Sequence, residues 1–250
     1  MPDDQFTRLR LLIGEEGIEK LRASFVIVAG AGAVGGYAIE ALARAGIGRL
    51  RIIDNDTVDV TNINRQILAL HSTVGKPKAA LAAERVRDIN PDCAVDPVAA
   101  FIREDNLPAL LDGKPDFVID AIDSLNPKTA LIAYLRQNNI PFASAMGAAL
   151  RTDPFQIRFG KMNGVHHCRL AYMLRKRLRR RGVPLDFDCV YSTESREHIP
   201  DPVYADDAAD HPDGQGRARV VMGSMPTITG IFGLILANIA IQKLSGQPLP

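Results

Sequence analysis

Tryptophan is absent from this sequence, aromatic residues are sparse, and cysteine occurs only at Cys93, Cys168 and Cys189. An odd number of widely spaced cysteines offers no disulfide framework and suits a reducing compartment. None of them forms a CxxC pair, so the two-pair ligand set of a structural zinc is missing. Excess charge is missing too, because 30 basic side chains face 29 acidic ones. A nucleic-acid partner would therefore be met by a local basic patch and not by an overall positive field. The segment Met1 to Arg10 is polar and lacks the apolar run of a secretory signal, so the expected location is the cytoplasm. No internal repeat is visible.

What is present is core material, with 46% of 250 residues hydrophobic. That length suits one α/β domain, residues 1–250, with a nucleotide-binding core at 1–150 and a substrate-binding and C-terminal extension at 151–250. Leu9, Leu12, Ile13, Ile18 and Leu21 recur at helical spacing within Phe6–Leu21, and the apolar run Phe25–Ala29 reads as a buried strand. Gly30–Gly35 breaks that strand, Tyr37–Ala45 resumes a helical pattern, and Leu50–Ile53 is a second strand ending on Asp54. Further strands are expected at Ala94–Ala99, Phe117–Asp120, Pro141–Ala145 and Phe155–Phe159, with helices at Lys76–Ile89 and Pro127–Gln137. The alternation predicts a Rossmann-like, mainly parallel sheet with helices on both faces. A C-terminal basic helix, Arg169–Arg181, and an apolar helix, Pro226–Leu244, complete it. The apolar helix approaches membrane-spanning length, but Thr227, Thr229, Gly230, Gly233 and Asn238 favour a buried or dimer-interface role over membrane association. The polar stretch Pro200–Gly216 is expected to be a mobile loop.

Gly30–Ala31–Gly32–Ala33–Val34–Gly35 is a G-x-G-x-x-G run between a strand and a helix. There glycines let the backbone approach phosphates, and the helix start offers unpaired N–H groups. Asp54, ending the next strand, stands where such folds bring a carboxylate to ribose hydroxyls. A nicotinamide dehydrogenase would use the same parts. The next segment separates the readings, because Asn62, Arg65, Gln66 and Lys78 return polar and cationic groups to the phosphate end of the sheet. Several positive charges have no use in hydride transfer. They suit a triphosphate attacked at its α-phosphorus, where they stabilise the transition state more than the ground state.

The glycine loop, Asp54-x-Asp56, Asn62-x-x-Arg65-Gln66, Gly75-x-Pro77-Lys78 and Asp120-Ala-Ile-Asp123 together resemble the ubiquitin-activating and molybdopterin- or thiamine-pathway adenylating enzymes. The resemblance covers Phe6 to Met146 and departs slightly at Ala33 and Gly36. It implies ATP and Mg²⁺, with Gly30, Gly32, Gly35 and Gln66 around the nucleotide and Asp54 on its ribose. Asn62, Arg65 and Lys78 become the phosphate and transition-state groups, with Asp123 as the magnesium ligand. Arg8 resembles the arginine that crosses a homodimer interface into the partner's ATP site.

Within that superfamily, the segments Arg8–Gly17, Thr61–Ile67, Asp88–Pro91 and Tyr191–Glu194 are similar to those of the tRNA threonylcarbamoyladenosine dehydratases. The likeness implies activation of the threonyl carboxylate of a modified tRNA adenosine as an acyl-adenylate, then cyclisation with loss of water. Arg175, Lys176, Arg177, Arg179, Arg180 and Arg181 form a basic helix able to neutralise tRNA phosphates without reading sequence. Where those dehydratases usually carry Asp-Pro at the start of this helix, this chain has His167 and Cys168. Adenylation of a ubiquitin-like or sulfur-carrier protein, with a sulfur-transfer partner, is the alternative expectation, and a dehydrogenase the second.

Cys189, flanked by Asp188, reads as structural, since a neighbouring acid raises a thiol's pKa and blunts it as a nucleophile. Cys93 is expected on a surface turn after Asn90–Pro91. Cys168 adjoins His166 and His167, and three adjacent ligands suit a closed metal site poorly.

Overall fold

The structure is a computed structural model that describes residues 4–195, 203–204 and 220–249. Its main sheet has seven strands in the order β3-β2-β1-β4-β5-β7-β6. They are β1 (Phe25–Ala29), β2 (Arg49–Ile53), β3 (Ala94–Val98), β4 (Phe117–Asp120), β5 (Phe142–Ala145), β6 (Ile157–Lys161) and β7 (Asp188–Ser192). All neighbours are parallel except β6, which runs antiparallel to β7 at the edge.

Every residue of β1 is buried, and the period of two sorts its side chains between two cores. Val26 and Val28 join Leu50, Ile52 and Ile119 on one face, while Phe25, Ile27 and Ala29 join Ile53 and Val118 on the other. The first face is covered by α1 (Thr7–Ala23), α2 (Gly35–Arg44), α3 (Lys78–Ile89) and α7 (Pro226–Ser245). The second is covered by α4 (Leu107–Leu110), α5 (Leu125–Gln137) and α6 (Arg169–Arg180). Helices therefore lie on both faces, as the alternation of elements predicts.

The apolar helix α7 is long and apolar enough to cross a membrane by length and composition, yet half of it is buried inside the fold. Ile228, Phe232 and Leu236 enter the first core at helical spacing. A Cβ on Gly233 would sit 2.2 Å from the Val34 carbonyl oxygen, so this glycine lets α7 close onto the start of α2.

Several expectations are corrected. β7 was not foreseen, and it inserts between β5 and β6, tying the C-terminal part of the chain into the same sheet. Its first residue, Asp188, is unusual for a strand, but Lys161 and Lys243 donate to its two oxygens at 2.5 and 2.6 Å. β6 begins at Ile157, after a 3-10 turn at Pro154–Gln156. α1 breaks its helical geometry at Gly14, where φ is 78°. Cys93 is not on an exposed turn but is buried against the first core. Of the stretch Pro200–Gly216, only Val203–Tyr204 falls within the described residues, as β8 paired with β9 (Val220–Val221); the rest of that expectation lies outside them.

Candidate active site

Parallel strands direct their carboxyl ends to one edge, where turns into helices leave N–H groups unpaired. At that edge β1 turns through Gly30 into α2. Gly30 has φ 95°, and a Cβ on Gly35 would lie 1.7 Å from the Gly30 carbonyl oxygen, so neither position admits a side chain without moving the turn. The end of β4 closes the same turn, because Ala121 donates its N–H to the Ala29 carbonyl at 2.9 Å and its own carbonyl oxygen lies 3.0 Å from a Gly30 Cβ position.

Asp54 follows β2 and fastens the turn. Its two oxygens accept the N–H groups of Ala31 at 2.6 Å and Asp56 at 2.8 Å. Burial pushes its pKa up, against the lowering effect of these N–H donors and of Lys78. Asp56 in turn holds Lys78, whose buried Nζ lies 3.0 Å from the Asp56 carboxylate. The Asp-x-Asp spacing thus uses one acid for the glycine turn and the other for the cation at the start of α3.

Between them the chain makes a 3-10 turn at Val60–Asn62, capped reciprocally by Asp59 and Asn62. Asn62 is buried, accepting the Asp59 N–H at 3.2 Å, and its carbonyl receives the N–H groups of Arg65 and Gln66. Arg65 is half-buried and donates to the Thr61 carbonyl and to Asn64 Oδ1, both at 2.9 Å. Gln66 reaches over the glycine loop, its Nε2 at 4.0 Å from a Gly32 Cβ position. Among the described residues its Oε1 is buried with no hydrogen-bond partner. An orphaned buried acceptor costs about 1–3 kcal/mol, so a ligand donor reaching that oxygen would be stabilising.

Asp123 stands exposed just beyond Ala121, accepting the Ser124 hydroxyl at 3.2 Å. Asp120 ends β4, as its place after the apolar run predicts, but its partner comes from α5. Asp120 and Lys128 are both fully buried, paired at 2.8 Å. Ser144 donates to Asp120 at 2.6 Å, the Ile122 N–H donates to Asp120 at 3.2 Å, and Lys128 donates to the Ile122 carbonyl at 2.8 Å. This buried cluster fixes the backbone one residue before Asp123. Lys128 sits in an apolar helical stretch, and only its separation of eight residues from Asp120 hints at the pair.

The structure thus gathers the glycine loop, Asp54, Asn62, Gln66 and Lys78 at one edge, with Arg65 on the adjoining turn and Asp123 on the rim. Arg8 is exposed on the first turn of α1 and makes no hydrogen bond or ion pair with the glycine loop among the described residues. Residues 6–250 match the ThiF family. The chain belongs to that family.

Its ThiF relatives include the tRNA threonylcarbamoyladenosine dehydratase of Bacillus subtilis, 38% identical over 244 residues that cover 96% of this chain and 94% of that one. The enzyme of the same name from Escherichia coli is 39% identical over 251 residues, covering 94% and 91%. The crystal structure of E. coli tRNA N6-threonylcarbamoyladenosine dehydratase in complex with ATP matches with a TM-score of 0.83 at 36% identity, covering 97% of this chain and 94% of that chain. Its complex with AMP gives a TM-score of 0.84 at 37% identity, with the same coverage.

The basic helix of this ThiF protein is amphipathic in charge. Ala171, Leu174 and Leu178 are buried, while Lys176, Arg179, Arg180 and Arg181 are exposed. Arg175 is drawn inward to the Val165 carbonyl, and Arg177 donates to Asn126, three residues beyond Asp123. Arg181 pairs with Glu104 at 3.2 Å. The helix therefore docks beside the rim that carries Asp123, with its solvent face cationic.

All three cysteines are buried and free. Burial is the main reason the Cys189 thiol is pushed up to about 12, with Lys128 lowering it and Asp188 raising it only secondarily. Burial likewise pushes Cys93 to about 11. Cys168 caps α6, its sulfur accepting the N–H groups of Ala171 and Gly147 at 3.4 Å each. Among the described residues no group of three or more His, Cys, Asp or Glu side chains could hold a metal ion.

Proposed function

We propose that this protein uses ATP to activate the carboxylate of N6-threonylcarbamoyladenosine in tRNA and closes the activated group into a ring, with net loss of water. One observation carries the reading: a glycine turn with no room for side chains at Gly30 and Gly35, joined through Asp54 and Lys78 to a polar, cationic wall, in a chain aligned almost end to end with dehydratases of that name.

In the first step a carboxylate oxygen of the substrate bonds to the α-phosphorus, the bond to the bridging oxygen breaks, and pyrophosphate leaves. In the second, a nucleophile within the same substrate attacks the acyl carbon and AMP departs with the former carboxylate oxygen. The N–H groups of the turn and the start of α2 hold the phosphates, while Arg65 and Lys78 take up charge that grows on the α-phosphate and leaving group. Lys78 reaches phosphate by exchanging its Asp56 contact. No enzyme thioester is required, and the raised thiols of Cys93 and Cys189 agree with that.

Magnesium belongs to the same reading. Asp123 is an exposed carboxylate with acceptor capacity left after its single serine contact, and one carboxylate with phosphate oxygens suffices. When bound, the ion would neutralise charge on the departing pyrophosphate. A homodimer placing Arg8 in the partner's ATP site is supported by the exposed Leu11 and Leu12 on the same helix. Cytoplasmic residence follows from a tRNA substrate, and a sulfur-transfer protein partner stays secondary to it.

Incubation with ATP, Mg²⁺ and modified tRNA should release AMP and leave the nucleoside lighter by one water. The molybdopterin-synthase adenylyltransferase of E. coli is 37% identical over 138 residues, which cover 55% of this chain. AMP formation stimulated by a sulfur-carrier protein and not by tRNA would therefore overturn the substrate assignment while leaving adenylation intact.

A further inference from the structure

We propose that the depression at the start of α6 is a stacking site for one nucleobase of the single-stranded RNA beside the reacting adenosine; the inference rests on the tRNA reading above. The depression has a volume of about 450 Å³ and is lined by His166, His167, Tyr172, Arg169 and Arg175 among others, with no carboxylate in its wall among the described residues. Flat aromatic and guanidinium faces with positive charge are how proteins hold unstacked RNA bases, because every base has a π-face and every linkage a phosphate.

The rings are offered to solvent. His166 and His167 are exposed, and Tyr172 keeps 59% of its surface although it stands on a helix whose other face enters the core. The two histidine rings meet edge to face at 5.0 Å, and Tyr191 from β7 closes on His166 at 6.4 Å.

The backbone beneath them is fixed from both sides. His167 has φ 54°, a left-handed conformation that is uncommon outside glycine and persists where the surroundings enforce it. Buried Arg151 enforces it by donating to the His167 carbonyl, and Arg175 holds the Val165 carbonyl two residues earlier. Cys168 anchors the next residue as the helix cap.

Position commits the site to RNA near the reaction. From Arg169 to Arg177, where α6 touches Asn126 beside Asp123, the helix rises about 12 Å. The exposed cations Lys176, Arg179 and Arg180 continue along the same helix, giving the phosphates of that strand a path from the pocket.

The test is binding of RNA hairpins that carry N6-threonylcarbamoyladenosine in the loop and 2-aminopurine at single positions flanking it, over a salt series. Tyr172→Ala should weaken binding roughly five- to a hundredfold, leave the salt slope unchanged, and remove the stacking quench at one flanking position. Tyr172→Phe should restore affinity and quench, whereas Arg180→Ala should lower the salt slope by about one. If Tyr172→Ala binds as tightly as the parent with an unaltered quench, while tRNA still drives AMP release, the pocket inference is wrong. If the parent neither binds the hairpin nor releases AMP with tRNA, the function itself fails.

Discussion

Replacing Lys128 by methionine tests the buried cluster behind Asp123. The side chain keeps its bulk but loses its cation, leaving the Asp120 carboxylate, fully buried, with only the Ser144 hydroxyl and the Ile122 N–H. The Ile122 carbonyl loses its donor as well. Removing one partner of a buried ion pair costs about 3–5 kcal/mol, against a typical total stability of about 5–15. For a chain of this size each kcal/mol moves the melting temperature by about 2–4 °C, so a fall of about 6–20 °C is expected. Urea unfolding should report the same loss without a change in slope. The double variant Asp120→Asn with Lys128→Met, which leaves no buried charge, should recover a large part of it. The stable double variant should need more Mg²⁺ for half-maximal AMP release, because the loop bearing Asp123 has lost its anchor. A loss below about 1 kcal/mol in Lys128→Met would show that the pair is not the strut described here.

Gly35→Ala should abolish ATP binding in calorimetry or prevent folding, since its new carbon would sit 1.7 Å from the Gly30 carbonyl oxygen; near-normal affinity would contradict the turn. Arg65→Ala should slow AMP release roughly ten- to a hundredfold, the loss of one charge-assisted hydrogen bond, with little change in melting temperature. Cys189→Ala should retain activity, and maleimide at about pH 8 should leave Cys93 and Cys189 of the folded protein unlabelled. In Glu194, burial raises the pKa but hydrogen bonds from Thr152 and Asp153 outweigh it, and in Asp188 bonds from Lys161 and Lys243 do the same. Both folded pKa values lie below the unfolded 4.5 and 3.8, so their stabilisation is present above those values and is lost as pH falls through the folded ones. Urea midpoints should drop in that acid range, less steeply in Glu194→Gln.

The parallel core was legible because its signals are local. Five consecutive apolar residues before Gly30, and a second apolar strand ending on Asp54, fix both the strands and the turn between them. The residues proposed for the phosphates could be picked out for the same reason, since Asn62, Arg65, Gln66 and Lys78 all fall between the end of β2 and the first turn of α3. β7 was not, because Asp188 and Ser192 at its ends look like loop residues until Lys161 and Lys243 arrive from distant segments to neutralise the first. Cys93 was placed on the surface by the turn chemistry of Asn90–Pro91, whereas the turn itself folds onto the apolar side of α3 and β2.

The same distinction explains why Lys128 escaped notice while Lys78 did not. Lys78 is conspicuous because it follows the Gly75-x-Pro77 turn close after the glycine loop and the polar segment Asn62–Gln66, but Lys128 lies inside a helix whose following residues are mostly apolar, and its partners are the carboxylate at the end of β4 and a loop carbonyl. Its meaning is positional: the side chain that holds Asp120 also holds Ile122, and Ile122 adjoins the carboxylate at the rim. The far side of that rim is touched by Arg177 of the basic helix through Asn126. The passage from β4 into the first turn of α5 is therefore gripped from the core by Lys128 at Ile122 and from the cationic surface by Arg177 at Asn126. A shift in either grip should alter Asp123, so under the proposed function RNA docking on α6 and nucleotide chemistry at the glycine turn would share the short stretch from Ile122 to Asn126.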